Sequence, residues 1–233
     1  MKRVYKAVTV AEAENGFAVL LDGKTVKSPA RRNLCLPNRA LAEAVAAEWD
    51  AQAEAVDPRS MPLMSLVATT ADRVETQRDY VIKTIADYAG SDMLCYRAEE
   101  PADLVLRQVE SWDPLLDWAA DALGARLRVT TGIMPIQQDG AALGAIKGVV
   151  AGYEALAMTA LHEMTAISGS VVIGLAIAEG HIGAEAGVDA AQLDETFQIE
   201  QNGEDEEAME RLAGLRTDLL VAAEFLRLGR AWN

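Results

Sequence analysis

The first 37 residues carry period-two, β-branched runs, and helical spacing takes over after them. Within that first stretch, "RVYKAVTVAEA" and "GFAVLLD" predict two strands turned by "ENG". "LLDGKTV" sets Asp22-Gly23 between strand-like runs, the strongest short-range hairpin signal, and "NLCLP" reads as one more short strand. A small sheet is therefore expected ahead of a helix that starts near Arg39 and is capped by Asn38. Leu41, Val45, Trp49, Gln52 and Val56 then recur at helical spacing. Pro58 and Pro62 each remove a backbone donor and push the preceding residue out of the α region. "DPRSMPL" thus reads as a joint between two parts of the chain.

Beyond that joint, "ADRVETQRDYVIKTIADYAG" and "PADLVLRQVESWDPLLDWAADALG" predict amphipathic helices that each end at a glycine. "ARLRVTTGIMPI" is the extended exception, and residues 140–156, 157–179, 184–199 and 205–229 predict further helices. Gly140, Gly144, Gly148 and Gly152 line one helix face. Each internal glycine costs up to ~1 kcal/mol against alanine, which close packing against "TAISGSVVIGLAIA" would offset. The expected fold is α+β, with a small sheet-bearing α/β domain over residues 1–60 and a helical bundle over 61–233.

With 51% apolar and 24% charged residues among 233, the chain has the balance of a globular protein and the length to bury a core. Cys35 and Cys95 are far from CxxC spacing and predict reduced thiols rather than a disulfide framework. "MKRVYKAVTV" lacks the apolar core of a secretory signal and the look of a transit peptide. The longest uncharged helical run, Met164 to Ala178, is shorter than the ~20 residues that span a bilayer, so no stable membrane insertion is expected. The net charge of −15 is uneven: residues 1–32 hold seven Lys/Arg against three Asp/Glu, whereas residues 179–210 hold eleven Asp/Glu and no Lys or Arg. Such a surface disfavours nucleic acid and suits a basic protein partner, although a solvated acidic face kept for solubility has the same composition.

The sequence shows little poised for catalysis. His162-Glu163 opens like a zinc-protease helix, but Ala166 stands where the second histidine would fall. "SGSVVIG" is not a nucleophile elbow, and "GAALGAIKG" lacks the P-loop order. Cys95 has only Arg97 near it as an activator. No catalytic, metal or cofactor-binding residue is therefore assigned. The alternative left open is a small-molecule hydrolase that works through a carboxylate pair in the bundle.

Several segments in order resemble one family: "LLDGKTVKSPAR", "LCLPNRALAEAVAAEWDAQ", "MPLMSLVATTADR", "MLCYRAEEP", "QVESWDPLLDWA", "SGSV" and "LDETFQIEQNGEDEEA". They are similar to the assembly chaperones for the alpha subunit of the F-type ATP synthase catalytic sector. The departures are Ser168, where threonine is usual, and Asn202, where a tryptophan is expected. The resemblance implies a non-enzymatic protein that holds newly made alpha until beta replaces it. It also implies an orthogonal arrangement of the helical bundle. In bacteria such a protein works in the cytoplasm, and its eukaryotic relatives work in the mitochondrial matrix. The candidate partner-binding residues are Asp194, Glu200, Glu204, Asp205 and Glu206 on the acidic stretch, with Trp49 as a further candidate. In that stretch Leu193, Phe197 and Ile199 are expected to be buried and the acids to face solvent.

Overall fold

In the computed structural model, residues 2–203 and 205–230 are described. The chain forms an α+β fold whose packing divides into two compact units. The first comprises Met1–Arg78, Glu154–Ala160 and Glu224–Asn233; the second comprises Asp79–Tyr153 and Leu161–Ala223. The expected boundary near residue 60 falls inside the first of these.

The first unit opens with β1 (Val8–Ala13), β2 (Gly16–Leu21) and β3 (Lys24–Thr25) in an antiparallel sheet of that order. The β2–β3 turn is the expected Asp22-Gly23 pair, with φ of 46° and 78°, the two left-handed residues that a type I′ hairpin needs. The Asp22 carboxylate also accepts the Lys6 and Ala7 amides, which tie the chain entry to this turn and hold its pKa low. "NLCLP" adds isolated bridges, Phe17 to Leu36 and Lys27 to Asn33, rather than a full strand. Helix α1 (Arg39–Asp50) starts where Asn38 Oδ1 accepts the Leu41 amide at 2.9 Å, and Leu41, Ala42 and Val45 are buried.

The expected helical run to Val56 stops at Asp50. Gln52 is buried and folds back: its amide nitrogen donates to Glu48 O and Ser60 Oγ, and its oxygen accepts the Asp57 amide. The Glu48 carboxylate accepts the Leu63 and Met64 amides at 2.7 and 2.8 Å, capping α2 (Pro62–Thr69) at its proline start. The proline-marked segment is therefore stapled to the helix before it. A π-helical turn, Thr70–Val74, follows α2.

The second unit contains α3 (Arg78–Asp87, from its second residue), β4 (Tyr96–Arg97), α4 (Ala102–Ala122), β5 (Thr130–Thr131) and α5 (Gly140–Ala151). It also contains α7 (Val171–Ala178), α8 (Ala184–Ala191) and α9 (Leu193–Asn202). Helices α6 (Ala155–Ser168) and α10 (Glu206–Gly229) supply residues to both units. The extended "ARLRVTTGIMPI" provides β5, which pairs in parallel with β4, a strand that sequence periodicity misses. The expected helix over 157–179 is two helices, because the chain turns at Gly169 and Ser170 restarts it as the α7 cap. Likewise 184–199 divides at Gln192 into α8 and α9.

All eight residues of α7 are buried. Trp112 of α4, 1% exposed, donates its indole N–H to Ala190 O at 2.9 Å. The expectation for the glycine stripe is corrected here. A side chain added at Gly140, Gly144 or Gly148 would meet nothing within 4 Å, and α5 buries Ala142, Ile146 and Val150 instead. Period-four spacing gave the helix a bare face but could not say which face turns inward.

Cys95 is fully buried and burial pushes its thiol up to about 12, whereas Cys35 is exposed. A disulfide-exchange reagent is expected to titrate one thiol in the native protein and both after denaturation. Rapid reaction of both native thiols would contradict this packing.

Candidate partner-binding surface

The acidic stretch is anchored rather than loose. Phe197 is buried as expected, whereas Leu193 and Ile199 are half-buried. Two adjacent residues of α4 hold α9. Arg107 pairs with Glu200 at 2.7 Å and lies over the Phe197 ring, 5.1 Å from its centre. Gln108, 1% exposed, accepts the Ala98 amide and donates to Asp194 Oδ1 at 2.8 Å. Glu200 and Asp194 thus fasten α9, and only part of their charge faces solvent. Asp205 caps α10 through the Glu207 and Ala208 amides, while Glu206 is exposed in the first turn of that helix. Glu204 lies outside the described residues.

Trp49 belongs to the first unit and is half-buried. Its ring meets Tyr5 edge to face at 5.7 Å, and the Tyr5 hydroxyl donates to Trp49 O at 2.6 Å. Its buried indole N–H finds no acceptor among the described residues. Trp49 thus packs on Tyr5 within its own unit.

Sequence reasoning missed Arg107 and Gln108. The available signal was composition, since Arg107 is the single cation in the 21 residues of α4.

Among the described residues, two carboxylates are raised by burial, one in each unit. Asp92 is fully buried, and burial raises it to about 6. Burial also raises Glu48. Both accept backbone amides at helix starts, and neither draws its shift from a second carboxylate. Among the described residues no group of three or more His, Cys, Asp or Glu could hold a metal ion. No helix there is long and apolar enough to cross a membrane.

The family profile described as "ATP12 chaperone protein" matches residues 2–120, half of the chain. The chain belongs to the ATP12 chaperone family. Its role is that of a chaperone in ATP synthase assembly. Crystal structures of Atp12 from Paracoccus denitrificans, including a point variant, superpose with a TM-score of 0.93 at 39% identity, covering 98% of both chains. A protein from Agrobacterium tumefaciens superposes with a TM-score of 0.91 at 44% identity, covering 97% of this chain and 85% of that one. The mitochondrial protein atp12 of Schizosaccharomyces pombe is 23% identical over 215 residues, 87% of this chain and 74% of its own length.

Segments that carry the ATP12 resemblance bind one another within each unit. Ser28 of "KSPAR" donates its hydroxyl to Asp72 of "TTADR" at 2.6 Å, and the Ala30 amide bonds the second oxygen at 3.0 Å. The Ser28 bond leads in holding the Asp72 carboxyl below its usual range. Asp92, just ahead of "MLCYRAEEP", takes the Ser170 hydroxyl of "SGSV" at 2.9 Å. Gln108 of "QVESWDPLLDWA" joins "CYRA" to the start of "LDETFQ". These ATP12 segments are therefore structural fasteners first.

Proposed function

We propose that this ATP12-family chaperone binds the unassembled alpha subunit of the F-type ATP synthase catalytic sector and covers the surface that beta later takes. The reading is supported above all by similarity over nearly the whole chain to Atp12 of known structure, together with the alpha-chaperone resemblance of the sequence. Chaperoning requires no catalytic centre, and the buried carboxylates of Glu48 and Asp92 accept amides at helix starts. Bacterial relatives at 39–44% identity favour work in a bacterial cytoplasm. The acidic stretch, with Asp194, Glu200, Asp205 and Glu206 on its described part, is assigned as part of the alpha contact. Trp49 is a secondary candidate, given its own packing on Tyr5.

Purified alpha subunit should aggregate more slowly with this protein at equimolar amounts, and capture from solution should not require beta. Glu206→Lys should leave the melting temperature nearly unchanged and slow alpha association, most clearly at low salt, because exposed charges steer encounters over about a Debye length of ~10 Å. Light scattering and surface-capture kinetics measure both effects. Unchanged aggregation of alpha would refute the reading. Unchanged capture by Glu206→Lys would leave this part of the acidic stretch a solvated face.

A further inference from the structure

The second unit holds a cavity of about 330 Å³ where the ends of α6 and α8, the start of α9 and the middle of α10 come together. Val188, Leu212 and Leu219 form a buried apolar floor, and Gln192 spans it by donating to Leu212 O at 2.8 Å. Asp194 and Glu195 stand on the edge, and Ala166 is exposed beside the opening. Several neighbouring acids have a cation partner. Arg216 takes Glu185 and Asp189, and Arg107 takes Glu200. Asp194 and Glu195 place negative charge beside an apolar recess, and Gln108 fixes Asp194 in place there.

We propose that this cavity seats one apolar side chain of a basic segment of the alpha subunit, with Lys or Arg beside it meeting Asp194 and Glu195. The assignment rests on the function proposed above and names the chemistry of the alpha segment that it recognises. The recess has room for a leucine, methionine or phenylalanine side chain with space around it, and not for a whole helix. A stable protein interface buries about 1,200–2,000 Å², so the cavity is an anchor within a larger contact. A few residues seated in well-packed, desolvated recesses carry most of the energy of an interface. Complementary charge at the edge selects a basic segment over the acidic or neutral ones that also bear apolar side chains.

Two variants and one cross-link test it. Ala166→Trp lays an indole over the opening from an exposed position, and Glu195→Lys reverses an exposed edge charge. Each should weaken capture of purified alpha by about tenfold or more, with the melting temperature held. A photo-cross-linking amino acid placed at Ala166 in the full chain should label an alpha peptide with a large apolar residue next to Lys or Arg. Capture of alpha by the parent protein, with both variants binding equally well or the cross-link falling on a peptide of other chemistry, overturns the cavity assignment alone. A cross-link to a second copy of this chain, or to a small molecule, also overturns it. Failure of the parent to capture alpha at all removes the proposed function and this assignment together.

Discussion

Asp92→Ala is expected to cost about 3 kcal/mol of stability at pH 7.5 and about 5 at pH 4.5. Asp92 is fully buried, and its Oδ2 accepts the Ser170 hydroxyl at 2.9 Å and the Val172 amide at 3.2 Å. Its Oδ1 accepts the Leu94 amide at 3.1 Å. Alanine leaves these donors buried without an acceptor, at roughly 1–3 kcal/mol each before relaxation. They stand at the starts of the Met93–Cys95 turn and of α7, so the turn loses its cap and α7 loses the acceptor that holds its capping residue Ser170 and its Val172 amide.

The pH dependence follows from the direction of the shift. Burial raises Asp92 from 3.8 to about 6, against donors that favour the charged form. The folded state therefore binds the proton more tightly than the unfolded chain. The resulting stability is fully present below the unfolded pKa and is lost as pH rises through the folded one. Between pH 7.5 and 4.5 the parent gains about 2 kcal/mol from this site that the alanine variant lacks. Urea unfolding of both proteins at the two pH values measures the difference. An equal cost at both would show that Asp92 is not linked to protons.

Local features were readable in the sequence because they depend on neighbours along the chain. The Asp22-Gly23 turn and the Asn38 cap form as the spacing predicts, and α4 runs through "PADLVLRQVESWDPLLDWAADALG" as a single helix. Features set by distant residues were not readable. β4 and β5 have two residues each and pair in parallel across more than thirty positions, too short to leave a periodic trace. Residues 171–178 are apolar on every side, so periodicity in the 157–179 run did not show that Ser170 restarts the helix. The acidic stretch was readable as charge. Its attachment to α4 through Arg107 and Gln108 was not, since composition does not record which side chains meet across 86 or more residues.

Gly16→Ala should destabilise the chain by about 3 kcal/mol, well beyond the cost of the same change at Gly23. Both glycines have positive φ, 142° and 78°, so alanine is strained at each by about 1 kcal/mol or more. Their surroundings differ. A side chain at Gly23 meets nothing within 4 Å, whereas one at Gly16 would sit 2.2 Å from Leu36 O. That carbonyl accepts the Phe17 amide at 2.8 Å, and the Leu36 amide returns a bond of 2.8 Å to Phe17 O. To admit a methyl group the two segments must part, losing both bonds at about 1 kcal/mol each and exposing Leu36, now 2% exposed. Hydrogen exchange should accelerate at the Phe17 and Leu36 amides in Gly16→Ala and stay slow in Gly23→Ala. Equal shifts in unfolding midpoint for the two variants would show that backbone strain, and not the Leu36 carbonyl, decides what residue 16 can be.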